Sequence, residues 1–106
     1  MGKSVKRRVS SLIKASVNYT QTHFVVTNND TFDWQNIKME LGVDGYDDPF
    51  IFKTETIMAG KTCMVSRMQF VSEDGIKLGM SNAYPETFSI SCKTSKGGGL
   101  WFGDFD

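Results

Sequence analysis

The apolar positions of this chain change their period once, near residue 16. Before it, Val5, Val9, Leu12 and Ile13 fall at i, i+4, i+7 and i+8, and the basic residues mostly occupy other faces. That spacing predicts a short amphipathic helix within residues 1–15, marginal alone and needing something to dock on. After it, the period is two. Ser16–Thr27 is rich in Val, Thr, Tyr and Phe and reads as one long strand, bent near Gln21–Thr22 where the inward parity switches. Asn28-Asn29-Asp30 is a turn cluster. Ile37, Met39 and Leu41 alternate with Lys38 and Glu40, with Trp34 just ahead to plug one end of the core.

Further strands are expected over Phe50–Ile57, Thr62–Ser72, Ile76–Met80, Phe88–Lys93 and Leu100–Phe105. Gly42–Pro49, Ala59-Gly60-Lys61, Glu73-Asp74-Gly75, Asn82–Glu86 and Gly97-Gly98-Gly99 separate them as loops and turns. About seven strands with turn signals every 8–12 residues predict an all-β protein, an antiparallel immunoglobulin-like β-sandwich with a short N-terminal helix. Residues 1–15 form a basic amphipathic arm and residues 16–106 the sandwich domain.

Several segments carry a family likeness. Phe24-Val25-Val26-Thr27-Asn28-Asn29-Asp30, Trp34-Gln35-Asn36-Ile37-Lys38-Met39-Glu40-Leu41, Ile57-Met58-Ala59-Gly60 and Met68-Gln69-Phe70 together resemble small immunoglobulin-like accessory domains of bacterial proteins, FxLYD-type domains being the nearest named example. The likeness spans roughly residues 22–90 and rests on strand and turn grammar. It implies a non-catalytic module of the sort borne by exported or membrane-tethered proteins, and it assigns no functional residue.

Charge sharpens the division at residue 16. Lys3, Lys6, Arg7, Arg8 and Lys14 give the first fifteen residues +5 with no acid; the rest carries seven basic residues against twelve acids, hence −5. The formal net of zero hides a basic segment in front of an acidic body. No apolar run is long enough for a membrane-spanning helix, and the basic start lacks the apolar stretch of a signal peptide. Met-Gly opens a myristoylation-like start, but Lys6 stands where Ser or Thr is required. The compartment is left open.

Two cysteines, Cys63 and Cys92, allow one bridge. If Met64, Met68 and Phe70 face inward then Cys63 faces out, while Cys92 shares the parity of Phe88 and Ile90; opposed directions predict two free thiols. The single histidine, His23, sits in a strand with no Gly-x-Ser-x-Gly elbow anywhere, and one His with two distant Cys is a poor zinc set. Lys96-Gly97-Gly98-Gly99 lacks the spacing of a phosphate loop. Asp44, Asp47, Asp48 and the pair Asp30 and Asp33 lack the calcium-loop order and read as solvated turns. The expectation is therefore no enzyme, no cofactor and no metal, and a small-molecule ligand is not anticipated.

Two surfaces remain as binding candidates. One is the arm, through Lys3, Lys6, Arg7, Arg8, Val9, Leu12 and Ile13. The other is the aromatic C-terminus, through Trp101, Phe102 and Phe105, either sealing the sandwich or pairing with a neighbour's sheet edge. The leading reading is a non-catalytic module acting through protein–protein contacts. The alternative is an assembly subunit whose basic arm docks on the acidic body of a neighbouring copy. Attachment of residues 1–15 to an anionic surface, membrane or nucleic acid, ranks third, because the acidic body repels phosphate and the arm has no base-stacking aromatic.

Overall fold

Alternation of apolar and polar residues dominates the fold wherever the chain can pair. A computed structural model of the chain describes residues 3–80 and 84–105. Among these residues it has nine strands: β1 (Lys3–Ser4), β2 (Lys6–Ser11), β3 (Ala15–Tyr19), β4 (His23–Asn28), β5 (Trp34–Val43), β6 (Phe50–Ile57), β7 (Thr62–Ser66), β8 (Pro85–Thr94) and β9 (Gly97–Asp104). Single 3₁₀ turns occupy Arg67–Gln69 and Leu78–Met80. The strands form two antiparallel sheets, one in the order β1-β3-β4-β7 and the other β2-β9-β8-β5-β6. No described helix is long and apolar enough to cross a membrane.

The inner faces of both sheets share one core. Phe24 of β4 meets Phe88 of β8 with ring centroids 5.9 Å apart, and Phe88 meets Trp101 of β9 at 6.4 Å. Tyr19 packs edge-on to Phe105 at 4.6 Å, joining the end of β3 to the residue after β9. Burial on strict alternation is clearest in β5, where Ile37, Met39, Leu41 and Val43 are all buried. The all-β, two-sheet expectation holds.

The N-terminal helix does not. Lys3–Ser4 pairs with β3 in one sheet, and Lys6–Ser11 pairs with β9 in the other. Val5 stands at the crossing, buried, its amide donating to the Val17 carbonyl at 2.8 Å. The four apolar residues of the helical spacing do not share one face. A register shift between Arg7 and Val9 puts an extra residue into β2, and Leu12 takes a left-handed conformation (φ 72°) that swings Ile13 into the core. The inward parity switches twice as a result, so Val5 and Ile13 are buried while Val9 and Leu12 are exposed. A helix this short has little stability of its own, whereas two open sheet edges offer it backbone partners.

Two other departures share a cause, in turns made without glycine or asparagine. The expected long strand over Ser16–Thr27 is the hairpin β3–β4. Its turn is organised by the Thr20 hydroxyl, which accepts from the Thr22 and His23 amides at 3.2 and 3.1 Å. Thr62–Ser72 stops at Ser66, whose hydroxyl caps the 3₁₀ turn while the Gln69 side chain returns to the Ser66 amide. The turn at Glu73-Asp74-Gly75 exists, but Ile76–Met80 makes only an isolated bridge from Lys77 to Val71 before turning 3₁₀. Part of the expected Asn82–Glu86 connector lies outside the described residues; its Pro85 and Glu86 belong to β8.

Gly97-Gly98-Gly99 is the start of β9 rather than a turn; the turn is Ser95–Lys96. Gly99 is required there, since a Cβ would collide with the Ile13 side chain. At Gly103 a Cβ would lie 2.6 Å from the Lys6 carbonyl oxygen and 2.7 Å from the Trp101 ring. Two glycines of β9 therefore let the N-terminal segment close onto it.

One corner is held by polar side chains. Asn28 is fully buried; its amide donates to the carbonyls of Phe32 and Ile57, and its oxygen accepts from the Asp30 amide at 2.8 Å. One oxygen of Asp30 accepts from both the Trp34 indole and the Lys14 amide, each at 2.9 Å. Asp33 accepts from the Ala59 amide. The two acids set apart as solvated turn residues are thus fasteners, tying the β2–β3 link to β5 and the β4–β5 loop to the β6–β7 turn.

Candidate interaction surface

The outer face of the five-stranded sheet follows from its register. Trp101 is buried on the inner face, so its neighbours Leu100 and Phe102 point outward. Phe102 pairs with Val9 and Leu100 with Ser11, and paired residues share a face. Val9 is 56% exposed and Leu100 43%, while Phe102 is half-buried between them. Leu12, also exposed, extends this edge toward Gly97. An apolar strip thus runs along the β2–β9 margin.

Cations border the strip. Lys6 is opposite Asp104, and Arg8, at the bulge, places its Nε 3.3 Å from Asp104 Oδ2. Both partners of that ion pair are well exposed, so it contributes little stability. Arg7 is exposed on the same strand, and Lys3 is exposed on β1 across the sheet switch. Asp104 offsets one of the charges, and the margin stays basic.

The structure therefore divides the ten residues singled out from sequence. Lys6, Arg7, Arg8, Val9, Leu12 and Phe102 gather along one margin. Lys3 is exposed but belongs to the other sheet. Ile13 and Trp101 are core, which removes both from any contact surface, and Phe105 is half-buried, packing on Tyr19 and Phe24. The Trp101 indole nitrogen is buried without a hydrogen-bond partner. The C-terminal aromatics act mainly to seal the two sheets. Leu100 joins the surface although it was not singled out; its parity opposite Trp101 was the available signal.

The reactive side chains are quiet. His23 is half-buried, its Nδ1 2.7 Å from the hydroxyl of its neighbour Thr22. Cys63 and Cys92 are unbridged, but not for the reason expected. Cys63 shares the inward parity of Val65, while Met64 is 65% exposed, so both thiols face the interior. Burial raises the pKa of Cys63. Cys92 is pushed up to about 11, first by burial and then by the nearby Asp30 carboxylate, against a hydrogen bond from the Gly99 backbone. Neither thiol is primed as a nucleophile. Among the described residues no three His, Cys, Asp or Glu side chains converge as a metal site.

Compared with known proteins, the chain matches no family model, no curated protein and no solved structure.

Proposed function

We propose that this chain is a non-catalytic binding module of immunoglobulin-like topology that contacts a protein partner through the outer margin of β2 and β9. The observation that carries the reading is the coincidence of Val9, Leu100 and Phe102 on one outer face with Lys6 and Arg8 beside them. Apolar residues supply affinity and the bordering cations supply orientation, which suits a partner with an apolar patch edged by carboxylates. The topology supports the fold half of the proposal. Setting aside β1 and β2, the remaining strands order as β3-β4-β7 and β9-β8-β5-β6. Lettered A to G along the chain, with β6 as C′, this is A-B-E against G-F-C-C′, an arrangement consistent with immunoglobulin-like sandwiches. The likeness to bacterial accessory domains remains part of this proposal.

A photo-crosslinking residue placed at Val9 in the full chain, expressed in its own cells, tests the reading. One adduct of defined mass is expected, lost when Lys6 and Arg8 become Glu and absent when the crosslinker sits at Glu73. No adduct at Val9, or equal labelling at both positions, contradicts it.

A second reading, self-assembly, rests on one observation. Lys6 is level with Asp104, Thr87 and Gly42 across the sheet, so the basic margin and the acidic loop bearing Asp44, Asp47 and Asp48 lie at one end but on opposite sides. Copies placed side by side would join unlike charges. Light scattering at low and high salt decides it: a mass that falls to the monomer in high salt supports assembly.

A further inference from the structure

Two open sheets have four edges, and three of them are obstructed. β1 is two residues long and carries Lys3. β2 carries Lys6, Arg7 and Arg8 and is bulged. β6 carries exposed Lys53 and Glu55, and its first half is covered by Val71, which exchanges backbone hydrogen bonds with Ile51 at 2.9 and 3.1 Å. Short length, charge, bulging and cover are the devices by which sheets avoid unwanted strand pairing. The fourth edge, β7, has none of them. Thr62-Cys63-Met64-Val65-Ser66 is uncharged, lacks proline, runs in unbroken register with β4, and has no strand on its other side among the described residues.

What brackets this edge identifies an occupant. Lys61 precedes the strand and Arg67 follows it, so a neutral stretch of five residues lies between two cations. Where β6 passes into β7, a groove of about 410 Å³ opens, lined by Thr56, Ile57, Met58, Lys61, Thr62 and Cys63. Met58 and Met64 are both largely exposed, and flexible thioethers adapt to varied apolar side chains. A second copy pairing through its own β7 brings no carboxylate to Lys61, because residues 60–69 hold no Asp or Glu. An incoming strand with an acidic residue at the Lys61 end supplies one.

We infer that β7 is a strand-addition site for an extended peptide of a partner protein, with a short β-prone centre and a carboxylate at the end that lies by Lys61 at the groove. Backbone hydrogen bonds to β7 hold the strand, and the charge at the Lys61 end sets its register. The site is separate from the β2–β9 margin, so loss of either leaves the other standing.

The test uses the folded full chain and a fluorescent peptide, Asp-Thr-Val-Thr-Val-Thr-Glu, with Lys-Thr-Val-Thr-Val-Thr-Lys as control, followed by anisotropy. The acidic-ended peptide is expected to bind about tenfold or more tighter than the control, with affinity falling as salt rises. Lys61→Glu should reverse the preference. Met64→Glu, at an exposed position, should weaken the acidic peptide about tenfold while leaving the melting temperature near that of the parent. Lys6→Glu with Arg8→Glu should leave binding unchanged. No binding at millimolar peptide, equal binding of both peptides, or insensitivity to Lys61→Glu overturns the inference. So does a dimer lost in Met64→Glu without peptide, since that assigns the edge to a second copy.

Discussion

Strand β2 borders the five-stranded sheet with three cations and a bulge, whereas β7 borders the four-stranded sheet with five uncharged residues in even register. Both are edge strands with one row of backbone groups unsatisfied by a neighbouring strand. Their side chains make them unlike. Consecutive charges on β2 make it costly for another backbone to approach, but they frame the apolar strip of Val9, Leu100 and Phe102 on the sheet's face. On β7 the charges stand at the ends, outside the strand, and among the described residues no strand covers the backbone row. One edge is thus suited to contact through side chains and the other through backbone.

The largest expected effect breaks the β2 side. Ile13 is buried against β9 and Leu12 beside it is exposed. Ile13→Ala should cost about 2–5 kcal/mol in urea unfolding and Leu12→Ala less than about 0.5. Comparable losses at the two positions would mean that the segment docks in some other form. Next comes Gly103→Ala. A Cβ there meets the Lys6 carbonyl oxygen and the Trp101 ring, so β2 must lift from β9 at a cost of about 1–3 kcal/mol. Faster amide exchange should follow at Lys6–Val9 and leave Thr62–Ser66 as it was.

Asp30→Asn is a smaller perturbation of the same side. The carboxylate oxygen that joins the Lys14 amide to the Trp34 indole becomes neutral, which should lower stability by about 1–2 kcal/mol. It should also bring the Cys92 pKa down, because Asp30 is one of the causes holding it up. The last effect is in pH. Folding keeps the Cys92 thiol protonated, raising its pKa from 9.0 to about 11. The stability this contributes is whole below pH 9 and is lost as pH rises toward 11. The melting temperature should decline across that window, and Cys92→Ala should decline less steeply; parallel curves would count against the assignment.

The sequence made some of this legible. A strand whose apolar residues alternate without interruption, such as Ile37–Leu41, was readable because period two and burial coincide. The aromatic end was readable too, since Trp101, Gly103 and Phe105 share a face. Residues 3–13 were not, because a bulge at Arg8 and a left-handed Leu12 switch the inward parity twice, burying Val5 and Ile13 but exposing Val9 and Leu12, which no single period describes. The turn at Thr20–Thr22 was hidden for want of Gly, Asn or Pro, its work being done by one hydroxyl. Met64 misled by hydrophobicity: a large apolar residue on an edge strand faces solvent, and taking it as core reversed β7 and turned Cys63 outward. The charge split was visible at once, but its consequence depended on which strands form edges, and that is a property of topology.

Hydrogen exchange of the full chain, with and without the acidic-ended peptide, tests the contrast between the two edges most directly. Slowing confined to Thr62–Ser66 and the adjoining groove, with Lys6–Ser11 unchanged, is the predicted result. Slowing in Lys6–Ser11 instead would show that net positive charge, and not an unobstructed backbone, decides where a strand adds, and would contradict the account.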